Sequence, residues 1–435
     1  MMSDGIGRPI SSVRAPGTSD LVAEGTGAAP VPEVLNIVDA MATPEFRTDP
    51  YPFYERLRRD EPVHQGSQGA WYLTRYDDVA PALSDRRLSV DRDRMTAALA
   101  ARGGTDRCRS RLTGRLGRVM TNTDPPEHTR LRRLAAEGLG GRIVEGRRAS
   151  VQALVDQLLD AALASSEGLD VVADLAAPLA RTMSLRLFGV PAEHLADVEA
   201  MLAAVLEPAD DPEAFGRVER SLDDLEHYLG GLLTERRSRP GDDLLSSMAA
   251  TASDDERPDA EVGAEVLSTA FVLFTAGIDT TRNLIGNAVV ALLRHPRELE
   301  RVRAEPGLLT GAVDELARYD TPSQMVLRVV AEPLTIGGQR LEEGELLYPV
   351  IAAANRDPQR FPDPDRLDLS RAGTRPLTYG PGAHFCLGAP LARLLAQVSL
   401  AALVRRLPRM RLARPEIEWG SNPVQRGPVA LHVTS

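Results

Sequence analysis

The run Tyr379-Gly-Pro-Gly-Ala-His-Phe-Cys-Leu-Gly-Ala-Pro-Leu-Ala-Arg393 is where this sequence is best equipped for chemistry. Cys386 lies among Gly380, Gly382 and Gly388, just ahead of apolar residues at helical spacing: Leu391, Leu394, Leu395 and Val398. Glycine lets a backbone turn tightly and lie close to a flat ligand. A helix N-terminus offers free N–H groups and positive potential, which favour thiolate over thiol. The combination is a cradle for an anionic sulfur ligand. An inert buried thiol is the common fate of a lone cysteine, but three glycines and His384 within nine residues exceed what core packing requires. Zinc and iron–sulfur sites need about four ligands. Here the only other thiol is Cys108, and no Cys-x-x-Cys pair exists.

Three further spacings carry chemistry. In Phe274-Thr-Ala-Gly-Ile-Asp-Thr-Thr281, Asp279 and Thr280 adjoin inside an apolar stretch. A charge buried there is costly without a purpose or partner. Ala276 and Gly277 leave room beside the helix, and Thr280 can hydrogen-bond back to the Ala276 carbonyl. Glu315 and Arg318 are three apart on a helical pattern, a spacing that permits an ion pair. In Asp124-Pro-Pro-Glu-His-Thr-Arg-Leu-Arg-Arg133, proline opens a helix that puts His128 and Arg132 on one face.

The elements that must position these groups are mostly helical. Candidate helices run near 126–138, 143–165, 174–188, 192–205, 212–238, 260–294, 308–319 and 388–407, with Pro, Gly or Asp between them. The sixth, about 35 residues, would span roughly 50 Å. A helix opened by proline is expected at 50–59 and a strand at 70–76, with strand-like alternation over 325–351 turned by Gly337-Gly338. Residues 355–385 read as a proline-rich loop. Residues 1–42 read as a mobile leader, and 43–435 as one large domain of mainly α structure with small β-sheets.

Composition excludes whole reaction classes. The 435 residues carry 62 acidic and 51 basic side chains, a formal net charge of −11, and every basic residue is arginine. Without lysine there is no Walker A loop and no Schiff-base chemistry. A net negative chain is a poor match for nucleic acid. No signal-peptide pattern opens the sequence, and charges interrupt the apolar stretch 266–293, so a buried core helix and a cytoplasmic setting are expected rather than a membrane span.

With these motifs in order along the chain, the sequence resembles the cytochrome P450 family, whose signature is Phe-x-x-Gly-x-His/Arg-x-Cys-x-Gly. The match has one departure: Tyr379 stands where Phe is usual. The resemblance spans about 45–435. It implies that Cys386 is the proximal ligand of a non-covalent haem b, with Tyr379, Gly380 and Gly388 in the ligand loop and Ala276 and Gly277 opposite. It further implies that His128, Arg132, Arg328 and His384 hold the haem propionates. Asp279 and Thr280 become the acid–alcohol pair of oxygen activation, with catalytic roles. Glu315 and Arg318 become a folding support that meets an arginine of the proline-rich loop, for which Arg366 is the choice. Cys108 is a bystander.

The resemblance implies a monooxygenase that consumes O2 and draws electrons from a ferredoxin and its NAD(P)H-dependent reductase, since no dinucleotide fingerprint is present. The substrate walls are expected from 88–118, Val272, Thr275, Met325 and Val326, a mostly apolar set that suits a lipophilic molecule, as in natural-product tailoring. A peroxygenase, a non-hydroxylating oxidation such as phenol coupling, desaturation or ring formation, and a non-catalytic haem sensor stand as alternatives.

Overall fold

The computed structural model describes residues 36–102, 119–164, 168–205, 212–253, 255–373 and 375–434. Cys108 and the rest of 103–118, part of the expected substrate wall, lie outside them. The helix Ile37–Met41 lies within the stretch 1–42 read as a leader. Asn36 caps the helix Ile37–Met41 through its side chain, and Ile37 is wholly buried.

The helix Asp259–Arg294 organises the molecule. Its first half presents Val262, Val266, Ala270, Phe271 and Phe274 to a core shared with the helices Leu195–Val205, Pro212–Ser238 and Leu244–Ala252. Its second half presents Leu284, Ile285, Ala288, Val289 and Leu292 to another core, shared with the helices Arg148–Leu163, Leu309–Tyr319 and Ala389–Arg406. Length and apolar composition alone would let this helix cross a membrane, yet both halves are packed against neighbouring helices. Between the two cores, Ala276 and Gly277 carry no bulk and stay exposed. The site opens at that point.

Most expected helices form within a few residues of their expected ends. The one expected at 143–165 divides into Gly141–Gly146 and Arg148–Leu163, and the one at 174–188 begins as a wide π-helical turn, Val171–Ala176. Helices at Arg92–Ala101, Leu244–Ala252 and Pro296–Ala304 were not foreseen.

Five short strands make the larger sheet, in the spatial order Val63–Gln65, Trp71–Leu73, Leu346–Pro349, Arg328–Val330, Leu88–Ser89. All neighbours are antiparallel except Trp71–Leu73 with Leu346–Pro349. The hairpin Leu334–Ile336/Gln339–Leu341 turns at Gly337 and Gly338, both at positive φ. The strands Leu169–Asp170, His432–Thr434 and Arg411–Leu412 form a smaller sheet.

Candidate active site

The cysteine loop is tied down from three sides. Its own backbone closes a turn, with Cys386 N–H donating to Tyr379 O at 2.8 Å. Gly380 and Gly382 sit at φ +67° and +74°, a region that side chains resist. A Cβ at Gly382 would stand 2.7 Å from Ser84 Oγ, so the loop packs directly on the turn after the helix Tyr76–Ala82. The approach to the loop is held by Asn355. It accepts from Leu377 N–H at 2.7 Å and donates to Thr321 Oγ1 and Thr378 Oγ1 at 2.9 and 3.1 Å.

Beneath this lies the buried pair Glu315–Arg318, joined at 2.7 and 2.8 Å on the helix Leu309–Tyr319. Arg318 also donates to Asn355 O and Pro364 O, at 2.9 and 3.0 Å. The third partner is Arg371, whose Nε reaches Glu315 Oε1 at 3.1 Å. Arg366, expected in that place, is exposed, and its carbonyl accepts from Arg371. The chain turns over 368–371, with Arg371 N–H donating to Asp368 O at 2.9 Å, so Arg371 rather than Arg366 meets the carboxylate. Asp368 N–H adds a further bond to Glu315 at 3.2 Å.

A cavity of about 970 Å3, part of it open to solvent, lies between this loop and the long helix. It is lined by His128, Arg132, Val272, Ala276, Gly277, Thr280, His384, Cys386 and Gly388, so the structure brings together residues 128 to 388 of the chain. Cys386 is a free thiol exposed toward the cavity. Crowding by protein raises its thiol pKa, opposed by the N–H groups of Gly388 and Ala389 and by the Arg132 guanidinium. Thr280 Oγ1 donates to Ala276 O at 3.0 Å, as its spacing suggested.

His128, Arg132 and His384 line the cavity wall, and Arg328 acts on His384 from beside it. His128 and His384 lie against each other with ring centres 4.0 Å apart and planes tilted by 46°. Burial first, then His128 and Arg328, push His384 down to about 4, and burial followed by Arg132 also lowers His128. Burial likewise lowers Arg328 to about 10, against Asp124. His128 Nδ1 is buried and lacks a partner among the described residues. Asp124, not singled out from sequence as a functional residue, binds Ser89 Oγ and accepts from Val90 N–H at 3.1 Å. It thereby pins the strand Leu88–Ser89 to the start of the helix Glu127–Ala136.

Other expected residues stand elsewhere. Asp279 is not buried: its side chain is 54% exposed and pairs with Arg282 at 3.2 Å. The burial expected from its apolar sequence neighbours is not found, because Asp279 lies on an exposed face of the long helix. Thr275 turns its hydroxyl onto Phe271 O and Val272 O. Met325 is 1% exposed and Val326 packs beside a separate apolar cluster, and neither lines the cavity. Tyr379 lies behind the loop with its hydroxyl buried.

Residues 210–408 match the family model named Cytochrome P450. Over 404 residues the chain is 37% identical to Cytochrome P450 107B1 of Saccharopolyspora erythraea, covering 91% of this chain and 96% of that protein. The chain belongs to the cytochrome P450 family. This P450 is also 37% identical to Cytochrome P450 monooxygenase PikC of Streptomyces venezuelae, over 94% of its own length and 96% of PikC. The solved structure of the Bacillus subtilis polyketide synthase cytochrome P450 PksS superposes with a TM-score of 0.80 at 30% identity, covering 91% of this chain and 98% of that one. P450s of this family bind haem b. The cavity suits that group: a free thiol faces it from one side, two small residues leave space opposite, and Arg132 and a buried imidazole nitrogen without a partner among the described residues stand on its wall.

Proposed function

We propose that this P450 is a haem-thiolate monooxygenase with Cys386 as the axial ligand, inserting one oxygen atom of O2 into a lipophilic small molecule. The balance is substrate-H + O2 + 2 electrons + 2 protons, giving substrate-OH + water. The observation that carries the reading is that Cys386 and Thr280 face one cavity from opposite elements. When bound, haem supplies the oxygen-activating redox chemistry, which thiolate ligation favours.

The chain's own residues have defined tasks. Cys386 would hold the iron, and His128, Arg132, Arg328 and His384 would take the two cofactor carboxylates. Arg is well shaped for such anions, and a buried dianion needs them. Thr280 lies where its hydroxyl can hold water or oxygen against the groove left by Gly277. Asp279, exposed and adjacent in sequence, can take protons from bulk water and pass them to Thr280. Val272 and Leu273 line the cavity and would shield the reaction from water and contact a lipophilic substrate. Electrons come from a ferredoxin with its NAD(P)H-dependent reductase, and the setting is cytoplasmic. Relatives named as a monooxygenase and as a polyketide synthase P450 support natural-product tailoring.

The test is the reduced carbon-monoxide spectrum. The protein should show the strongly red-shifted Soret band of thiolate ligation, and Cys386→Ser should lose it. A Cys386→Ser protein that keeps the band, with Cys108→Ser losing it, would overturn the assignment.

A further inference from the structure

Behind the cysteine loop stands the charge pair Asp314–Arg393. Arg393 lies near the start of the helix Ala389–Arg406. Its Nε and Nη2 reach Asp314 Oδ1 and Oδ2 at 2.6 and 3.2 Å. Its guanidinium carbon sits 4.3 Å from the centre of the Tyr379 ring. Tyr379 in turn accepts the Cys386 N–H. Asp314, Arg393, Tyr379 and Cys386 thus form a contiguous series, and the charges of Arg393 and Cys386 act on each other. The pair is half out of the fold, with Arg393 31% and Asp314 42% exposed.

We propose that the Asp314–Arg393 pair sets the reduction potential of the haem held by Cys386, with the Tyr379 ring fixing the guanidinium in place. The proposal rests on Cys386 being the ligand. Reduction adds one electron beside the sulfur, so a nearby cation favours the reduced state and an anion opposes it. Arg393 and Asp314 therefore act with opposite sign although they belong to one ion pair. A packing role predicts the reverse pattern, because truncating either partner breaks the same contact.

The experiment measures the potential of the substrate-free holoenzyme by spectroelectrochemistry. Arg393→Gln should lower the reduced-to-oxidised ratio at a fixed applied potential by about three- to tenfold, a modest effect because the pair is partly solvated. Asp314→Asn should raise it. Arg393→Lys, which keeps the charge, should stay near the parent, and high salt should shrink all the differences. Shifts of the same sign in Arg393→Gln and Asp314→Asn, no shift in either, or Arg393→Lys behaving as Arg393→Gln would overturn the proposal. The carbon-monoxide spectrum separates the two levels. A parent without the thiolate band defeats the ligand assignment itself, whereas thiolate bands with unmoved potentials defeat only the role of the pair.

Discussion

At the scale of single residues, Thr280 and the two histidines make the sharpest claims. The Thr280 hydroxyl touches only the Ala276 carbonyl among the described residues, so its loss leaves Cys386 and the basic wall intact. Thr280→Ala is expected to bind haem and carbon monoxide normally but to release peroxide in place of product. A placed proton-transfer group contributes about 10²–10⁴-fold, and a replacing water should hold the loss to the lower end. Product formed per NADPH consumed, with peroxide counted, checks this, and unchanged coupling would refute it. Asp279→Asn should slow the whole cycle and leave coupling near the parent value, because the exposed carboxylate delivers protons rather than holding oxygen. The histidine pair predicts a pH effect in the cofactor-free protein. Both imidazoles are held below their ordinary value, His384 at about 4, so the fold disfavours their protonation. Their stabilising contribution is complete above about 6.5, the unfolded value, and is lost as pH falls toward 4. The urea midpoint should therefore drop between pH 7 and pH 5, and His384→Gln should flatten that dependence.

At the scale of elements, the loop from Asn355 to Tyr379 depends on one buried carboxylate. Glu315 holds Arg318, Arg371 and the Asp368 N–H together while only 5% exposed. Removing one partner of a buried ion pair costs about 3–5 kcal/mol. Glu315→Gln should lose stability on that order in chemical denaturation, whereas Arg366→Ala, at an exposed position, should stay within about 0.5 kcal/mol. Arg371→Ala, whose side chain is largely buried, should fall between them. The contrast between Arg366 and Arg371 also marks how far the sequence could be read. That Cys386, Thr280, His128 and Arg132 would line one cavity was legible because local spacing, which helices and tight turns preserve, sets where they stand. The partner of Glu315 depends on how an irregular chain folds back over many residues, and no periodicity encodes that. The burial expected of Asp279 failed for a related reason. Its neighbours in sequence are apolar, but burial is decided by what packs on that face. The helix Arg92–Ala101 escaped notice because only Ala98 on it is buried, which leaves little amphipathic signal.

At the scale of the whole molecule, the net charge of −11 opposes an acidic electron donor, yet an arginine-rich concavity lies close to the cysteine loop. Arg86, Arg130 and Arg133 line it together with Pro125, Pro126 and Thr129, in an open site of about 980 Å3 of empty space. Arg86 is two residues from Ser84, which packs on Gly382, so a donor seated there would stand near the Cys386 side of the cofactor. Arg130 is occupied by Glu127 and Glu265, so Arg86 and Arg133, both exposed and without an ion pair among the described residues, are the groups that can turn toward a partner. Two fields then compete. The net charge acts at long range and repels an acidic ferredoxin, while the patch acts at contact and attracts it. With a Debye length of about 10 Å at 0.1 M salt, the long-range part is already screened and the contact part survives. Raising salt from 0.1 to 0.5 M should therefore slow reduction by an acidic ferredoxin, as steered encounters do. Arg133→Glu should slow it at 0.1 M and weaken the salt dependence. Arg414→Glu, the same charge change beside the smaller sheet, tests whether net charge alone is responsible and should leave the rate near the parent. A stopped-flow rate that stays flat with salt, or that falls equally in both variants, would place the donor elsewhere on the surface.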